Sequence, residues 1–305
     1  MNVLLAEFAS LMWGPWLLIL LLGTGCWLTF SLKGIQVRQI FYSLRLTFSK
    51  EREGEGDISH FGALMTALAA TVGTGNIAGV SVAVALGGPG AIFWMWLTGL
   101  VGMATKYCEG FLAVKYRQVN LKGEISGGPM YYLEKGLGQK WLAICFAFFG
   151  AMAAFGIGNM VQANTTAHAL REFLGINSFF VGGLMTLLTA MVIIGGIKRI
   201  AETASYLVPI MVLIYFLGAL IVISSNLGQL GTGISMILQH AFTGTAATGG
   251  FAGASLANTI RYGVARGLFS NESGMGSAPI AAAAAKTNQP SKQALVSMAG
   301  TFIDT

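Results

Sequence analysis

The sequence predicts an all-α polytopic membrane protein, and three observations carry that prediction. Hydrophobic residues make up 54% of the 305 residues and charged residues only 10%, against about 25% charged in an ordinary soluble domain. Apolar runs near or above the roughly 20 residues that cross a bilayer recur along the chain. Lys and Arg concentrate in alternate connections between those runs, as the positive-inside bias requires. The 42 glycines follow no collagen-like period and lie in no polar low-complexity context, so they serve close helix packing and helix breaks. The net charge of +6 is scattered rather than gathered on one face with aromatics, which argues against nucleic acid as a partner. Cys26, Cys108 and Cys145 fall inside apolar runs without zinc or redox spacing and read as packing residues.

The first run, 11–32, contains Trp13, Trp16 and Trp27 and is preceded by no Lys or Arg, so it reads as a retained membrane helix rather than a secretory signal. The connection 33–59 holds spaced apolar residues, among them Ile40, Phe41, Leu44 and Leu46, ahead of a charged stretch from Lys50 to Asp57. It is either an amphipathic helix along the inner membrane surface or a solvated linker. Further runs at 61–86, 91–114, 141–170, 179–197, 204–224 and 241–260 read as spans, and another begins near Lys292 and reads as cut off at Thr305. With the N-terminus outside, the connections 33–59, 115–140, 198–203 and 261–292 are cytoplasmic and contain sixteen of the eighteen Lys and Arg residues. Arg171 lies outside; Lys106 sits in the cytoplasmic half of its span, where Glu109 at helical spacing is its expected partner.

The second span is interrupted by Gly73-Thr-Gly-Asn-Ile-Ala-Gly79. Unwound backbone at membrane depth survives only where it lines a cavity or holds a ligand. Amides at Thr74, Gly75 and Asn76, at the positive end of a half-helix, suit an amino-acid carboxylate. The carbonyls of Ala69, Thr71 and Val72, with the Asn76 side-chain oxygen, suit a sodium ion. A GxxxG packing contact between Gly75 and Gly79 is the plainer alternative. A second glycine-rich interruption, Thr243 to Gly253, lies in the seventh span, which runs in the opposite direction. The pairing makes Thr243, Thr245, Thr248, Gly249, Gly250 and Phe251 candidates for closing a substrate pocket. In the fourth span Asn159 and Gln162, three apart on one helix face and followed by Asn164, should face the bundle interior, to meet a ligand or another helix. His60, His168 and His240 lie near span ends at separate heights, and Glu109, Glu202 and Glu272 lie near the cytoplasmic side within reach of Lys106, Arg199 or Arg266. No nucleophile stands beside a base and no carboxylates pair at depth, so the residues predict no enzyme and no organic cofactor.

Four motifs now stand in order: Gly73-Thr-Gly-Asn-Ile-Ala-Gly79, Gly123-Glu-Ile-Ser-Gly-Gly-Pro-Met-Tyr-Tyr-Leu-Glu134, Gly158-Asn-Met-Val-Gln-Ala-Asn164 and Arg266-Gly-Leu-Phe-Ser-Asn-Glu-Ser-Gly-Met-Gly-Ser-Ala-Pro279. Together they make the chain resemble the sodium:alanine symporter family over nearly its whole length. The resemblance implies one transporter domain over 1–305 with the five-plus-five inverted repeat of the amino-acid transporter superfamily. It implies an extra helix at 11–32, a first repeat at 60–226, and the start of an incomplete second repeat at 241–305. It further implies sodium-coupled uptake of a small neutral amino acid (alanine, glycine or serine) across the bacterial cytoplasmic membrane by alternating access. The substrate carboxylate would sit on Thr74, Gly75 and Asn76, Gln162 would approach from the fourth span, and the lipid bilayer would be a further partner. Family members continue through further helices that supply hydroxyl ligands to one sodium site, so that site reads as incomplete here. A passive channel and a proton-coupled amino-acid transporter are the competing readings.

Overall fold

A computed structural model of the chain describes residues 7–8, 11–49, 54–120, 123–243 and 256–305. It is mostly helical. Helix α1 (Pro15–Ser31) is followed by two short helices, α2 (Ile35–Arg38) and α3 (Ile40–Thr47). Helix α4 (His60–Thr71), a π-helical turn (Gly75–Gly79) and α5 (Val80–Gly87) form one broken unit. Helix α6 (Ala91–Lys115) leads to the two-stranded antiparallel pair β1 (Gln118–Val119) and β2 (Ile125–Ser126), in which Gln118 faces Ser126. Then come α7 (Pro129–Lys135), α8 (Lys140–Ala154), α9 (Met160–Leu174), α10 (Ser178–Ile193) and α11 (Gly196–Ser225). The remaining helices are α12 (Leu227–Thr243), α13 (Leu256–Asn271), α14 (Ala278–Ala283) and α15 (Pro290–Asp304).

Small residues explain why α6 and α15 occupy the middle. Helix α15 buries Ala294, Val296, Met298, Ala299 and Gly300, and α6 buries Ala91, Gly99, Gly102, Ala104 and Gly110. Small side chains let helix axes approach closely, which is how helices associate where hydrophobicity gives no preference for helix over surroundings. Leu64, Met65, Leu68, Met103, Leu295 and Met298 form the largest apolar cluster, to which α3 adds Leu46. Ser43 of α3 donates to the Leu295 carbonyl at 2.6 Å. The connection 33–59 is thus helical over α2 and α3, and α3 packs on the core rather than only on a membrane surface.

Helix runs through the connection expected at 198–203, which lies inside α11, and through the start of the one expected at 261–292, where α13 continues to Asn271; the breaks otherwise follow the sequence with two exceptions. Helix α4 starts at Ser59, whose hydroxyl accepts from the Gly62 amide at 3.0 Å, a normal N-cap. It bends by 48° into Gly75–Gly87. Helix α11 alone among the described helices is long and apolar enough to cross a membrane, and α4 with Gly75–Gly87 qualifies as a bent pair. Helices α8 and α9 correct the single fourth span expected at 141–170. Asn159 lies outside α9 as its N-cap, with Oδ1 accepting from Met160 and Nδ2 donating to the Ala154 carbonyl. The second exception is α12, which sequence periodicity did not assign. Helices α8 to α11 leave many large apolar residues uncovered, including Phe179, Ile194, Phe173 and Ile214, a surface suited to hydrocarbon and not to water.

On the face that carries β1 and β2, one guanidinium gathers three segments. Arg117 donates from Nη1 to the Ala283 and Ala285 carbonyls at 2.9 and 2.7 Å. From Nη2 it donates to those of Glu55 and Thr287, each at 2.7 Å. The Asp57 amide adds a bond to the Ala284 carbonyl, and the Asp57 carboxylate accepts from the Ile125 amide at 2.9 Å. Burial pulls the Arg117 pKa below the ordinary arginine value, with Glu55 and Asp57 acting in the opposite direction.

Candidate functional site

The site grows from the break after α4. The Gly73 amide, which in a continuous helix would bond to Ala69, instead donates to Asn76 Oδ1 at 2.8 Å. Asn76 thereby closes the break with its own side chain and aims Nδ2 outward. Nδ2 donates to Asp304 twice, to the main-chain carbonyl at 2.7 Å and to Oδ1 at 3.1 Å. The other carboxylate oxygen of Asp304 accepts from the Ser270 hydroxyl at 3.1 Å. Asp304 is 8% exposed. Gly75 permits the convergence: a Cβ there would lie 3.2 Å from the Ser270 Cα and Oγ, so glycine brings the π-helical turn against α13. One carboxylate, one amide and one hydroxyl, drawn from the turn after α4, from α15 and from α13, therefore meet at a single point, with Thr71 buried at the end of α4 just before the break.

A cavity of about 320 Å³ opens beside this cluster, at the small end of the range for ligand pockets. Its polar side holds Asn76, Ser270, Asp304 and Thr305; Met95, Trp96, Tyr215 and Phe216 form much of the apolar remainder. A buried carboxylate surrounded by neutral oxygens is a donor set for a hard cation. The adjoining space, polar at one end and aromatic at the other, fits a small zwitterion with a short side chain.

The predicted residues fall into three groups. Thr71, Val72, Thr74, Gly75 and Asn76 lie at the break; Thr71 and Gly75 are buried, while Ala69 is exposed. Asn159 and Asn164 are exposed, and Gln162 is half-buried with its Oε1 enclosed and unpartnered among the described residues. None of the three lines the cavity beside Asn76, and α9 buries no residue. Thr243 ends α12, whereas Thr245, Thr248, Gly249, Gly250 and Phe251 lie outside the described residues. Sequence reading missed Asp304 and Ser270. The available signal was an acidic residue within an apolar segment, which is a functional candidate in any membrane chain.

The expected ion pair between Lys106 and Glu109 is corrected by the structure, as are pairs of acidic residues with Arg199 or Arg266. The ion pairs within 4.0 Å among the described residues are His168–Glu172 and Lys198–Asp57. Lys106 donates to the Glu272 main-chain carbonyl at 3.0 Å. The Glu272 carboxylate takes the Ser277 hydroxyl. Glu109 accepts from the Gly276 amide at 3.0 Å, and the Gly274 amide also interacts with it. The turn 272–277, with positive φ at Glu272, Gly274 and Gly276, folds back over α6 and takes up both side chains before they can meet. His60, expected at an interface, is 3% exposed and its Nδ1 lies 2.6 Å from Gln293 Oε1.

Comparison with known proteins finds transporters over nearly the whole chain. The sodium/alanine symporter AgcS of Methanococcus maripaludis is 55% identical over 97% of this chain and 66% of its own length. An uncharacterized transporter of Haemophilus influenzae is 52% identical over 99% of this chain and 66% of its own. The probable sodium/glutamine symporter GlnT of Bacillus subtilis is 41% identical over 97% and 61% respectively. The chain thus spans slightly less than two thirds of the length of these relatives. The sodium:alanine symporter family profile matches residues 1–305. These proteins are membrane transporters rather than enzymes, and the chain belongs to the sodium:alanine symporter family.

Proposed function

We propose that the protein carries out sodium-coupled symport of a small neutral amino acid by alternating access, with Asp304 as the anchor of the coupling ion. The observation that carries this reading is the contact between Asn76 and Asp304 across the helix break. Sodium is held at the break by the Asp304 carboxylate with Thr71, Asn76 and the carbonyls of Ala69 and Val72. The substrate carboxylate rests near Thr74, Gly75 and Asn76, beside that ion, so each charge lowers the cost of burying the other. Trp96, Tyr215 and Phe216 face the substrate's side chain. The limited cavity volume and the likeness to a relative named for alanine favour alanine, glycine or serine over larger substrates. The same reading places the broken unit from α4 to α5 in a first repeat at 60–226 and α13 to α15 in a second from 241. It adds an extra N-terminal helix, an outside N-terminus and the bacterial cytoplasmic membrane.

The test is uptake of labelled alanine by the reconstituted protein under an inward sodium gradient, an inward proton gradient, or neither. Accumulation above equilibrium with sodium alone is the expected result. Equilibration without accumulation establishes a channel, and accumulation driven by protons alone establishes proton coupling. Asp304→Asn should raise the sodium concentration for half-maximal uptake by about tenfold or more, the equivalent of one charge-assisted contact. An unchanged sodium response in that variant removes Asp304 from the cation site.

A further inference from the structure

The chain leaves α1 through two residues of positive φ, Lys33 and Gly34. Gln36 on α2 is buried and donates from Nε2 to the Thr29 hydroxyl at 2.9 Å, which ties α2 to the end of α1. On α3, Ser43, Leu46 and Thr47 are buried, and their spacing puts them on one side of the helix. The opposite side is of another kind. Phe41, 85% exposed, shares it with Tyr42 and Arg45, and Val37 and Arg38 are exposed on α2. Lys33, at the turn, is exposed as well. Residues 33–48 contain these three basic residues and no Asp or Glu. None of the three forms an ion pair among the described residues. Shortly before the turn, Trp27 is exposed near the end of α1, where a tryptophan marks the level at which a membrane helix meets the headgroups.

We propose that the outer side of α2 and α3 seats anionic phospholipid, with Lys33, Arg38 and Arg45 on the headgroup phosphates and Val37, Phe41 and Tyr42 among the outermost acyl carbons. Charge selects this partner. Three cations with no acidic residue on their own stretch gain from an anionic surface, and each basic residue near such a surface strengthens attachment about fivefold. The apolar side chains between them argue against a purely aqueous anion, because Phe41 gains only by leaving water. Cations beside aromatic side chains on a short amphipathic stretch are the pattern of a helix lying in the interface plane. The orientation argued from the basic residues assigns the seat to the inner leaflet, and only the choice of leaflet rests on that reading. The seat reaches the ion site through one bond. Ser43, on the buried side of α3, donates to the Leu295 carbonyl of α15, and α15 carries Asp304 about two and a half turns further on. Headgroups that hold α3 thereby fix the depth of α15 in the bilayer.

In the experiment, Phe41→Trp supplies a reporter on the seat, read as the emission it adds to that of the wild type. The protein carrying it is reconstituted in vesicles of phosphatidylcholine and phosphatidylglycerol, with bromine on the acyl chains of one lipid or the other. Quenching at equal mole fraction gives the relative binding constant of the two lipids at that position. Phosphatidylglycerol should be favoured about fivefold or more, and Arg38→Gln with Arg45→Gln should bring the ratio close to one. Arg38→Lys with Arg45→Lys, which keeps both charges, should preserve the ratio, and salt at about 1 M should reduce it severalfold by screening. Equal quenching by the two lipids overturns the anionic seat, and so does a preference that the glutamine pair leaves intact. Quenching by neither lipid means that protein covers this face, and overturns the seat as well. Should Phe41→Trp yield no folded protein, Tyr42→Trp carries the same reading. The readout requires no transport and reports the seat in either leaflet, so its failure is distinct from failure of the symport reading or of the orientation.

Discussion

Asn76 performs two tasks with one side chain: Oδ1 terminates the inner helix at Gly73 and Nδ2 holds α15 through Asp304. Asn76→Ala leaves the Gly73 amide and the Asp304 oxygens without these partners, at about 1–3 kcal/mol for each buried group. Sodium dependence and alanine uptake should fall together in that variant, and normal uptake with an unchanged sodium titration would show that Asn76 has no part in the site. Asn76 and Thr71 were legible in the sequence because an amide and a hydroxyl among glycines at membrane depth have few structural uses. Asp304 was not, because it follows Asn76 by 228 residues and only the packing of α15 brings them together. Lys106 and Glu109 show the reverse failure. Their helical spacing was read correctly, but amides and a carbonyl from the turn 272–277 outcompeted the local pair.

Helices α6 and α13 are held together by glycine. A Cβ on Gly263 would lie 2.5 Å from the Ala91 carbonyl oxygen and 2.7 Å from the Trp94 Cβ. The first of these is backbone and cannot rotate aside. Gly263→Ala should therefore push α13, and Ser270 with it, away from the break, costing about 1–3 kcal/mol of stability. A lowered melting temperature together with weaker alanine uptake is expected; an unaltered melting temperature would mean that the helices do not approach so closely. Elements were legible where composition was extreme. The apolar segments of α6, α10 and α11 and the glycine break after α4 were all read from the sequence. Helix α12 was not, since Gln229, Ser235, Gln239 and His240 interrupt its apolar pattern. The turn between α8 and α9 was also hidden, because Gly156, Ile157 and Gly158 differ little in hydropathy from the helices around them.

At the scale of the molecule, the four motifs carried the family, which the comparisons show, while the bias of the basic residues toward alternate connections argues for an orientation without reference to packing. What that bias could not convey is that Arg117, one of those residues, is a structural joint. Its planar, five-donor group reaches four carbonyls on two other stretches of chain, at Glu55 and along 283–287, a geometry that an ammonium cannot reproduce. Arg117→Lys should loosen these segments at a cost on the order of 3 kcal/mol, and should speed thiol labelling of a cysteine placed at the buried position 284 severalfold. Labelling at the unaltered rate would show that the Asp57 contacts suffice. The entry to α4 and the connection from α14 to α15 hang from the same guanidinium and are also bonded directly through the Asp57, Ile58, Lys286 and Thr287 amides. The two stretches therefore behave as one clamp, whose bonds have to break together if either stretch is to move away from the other.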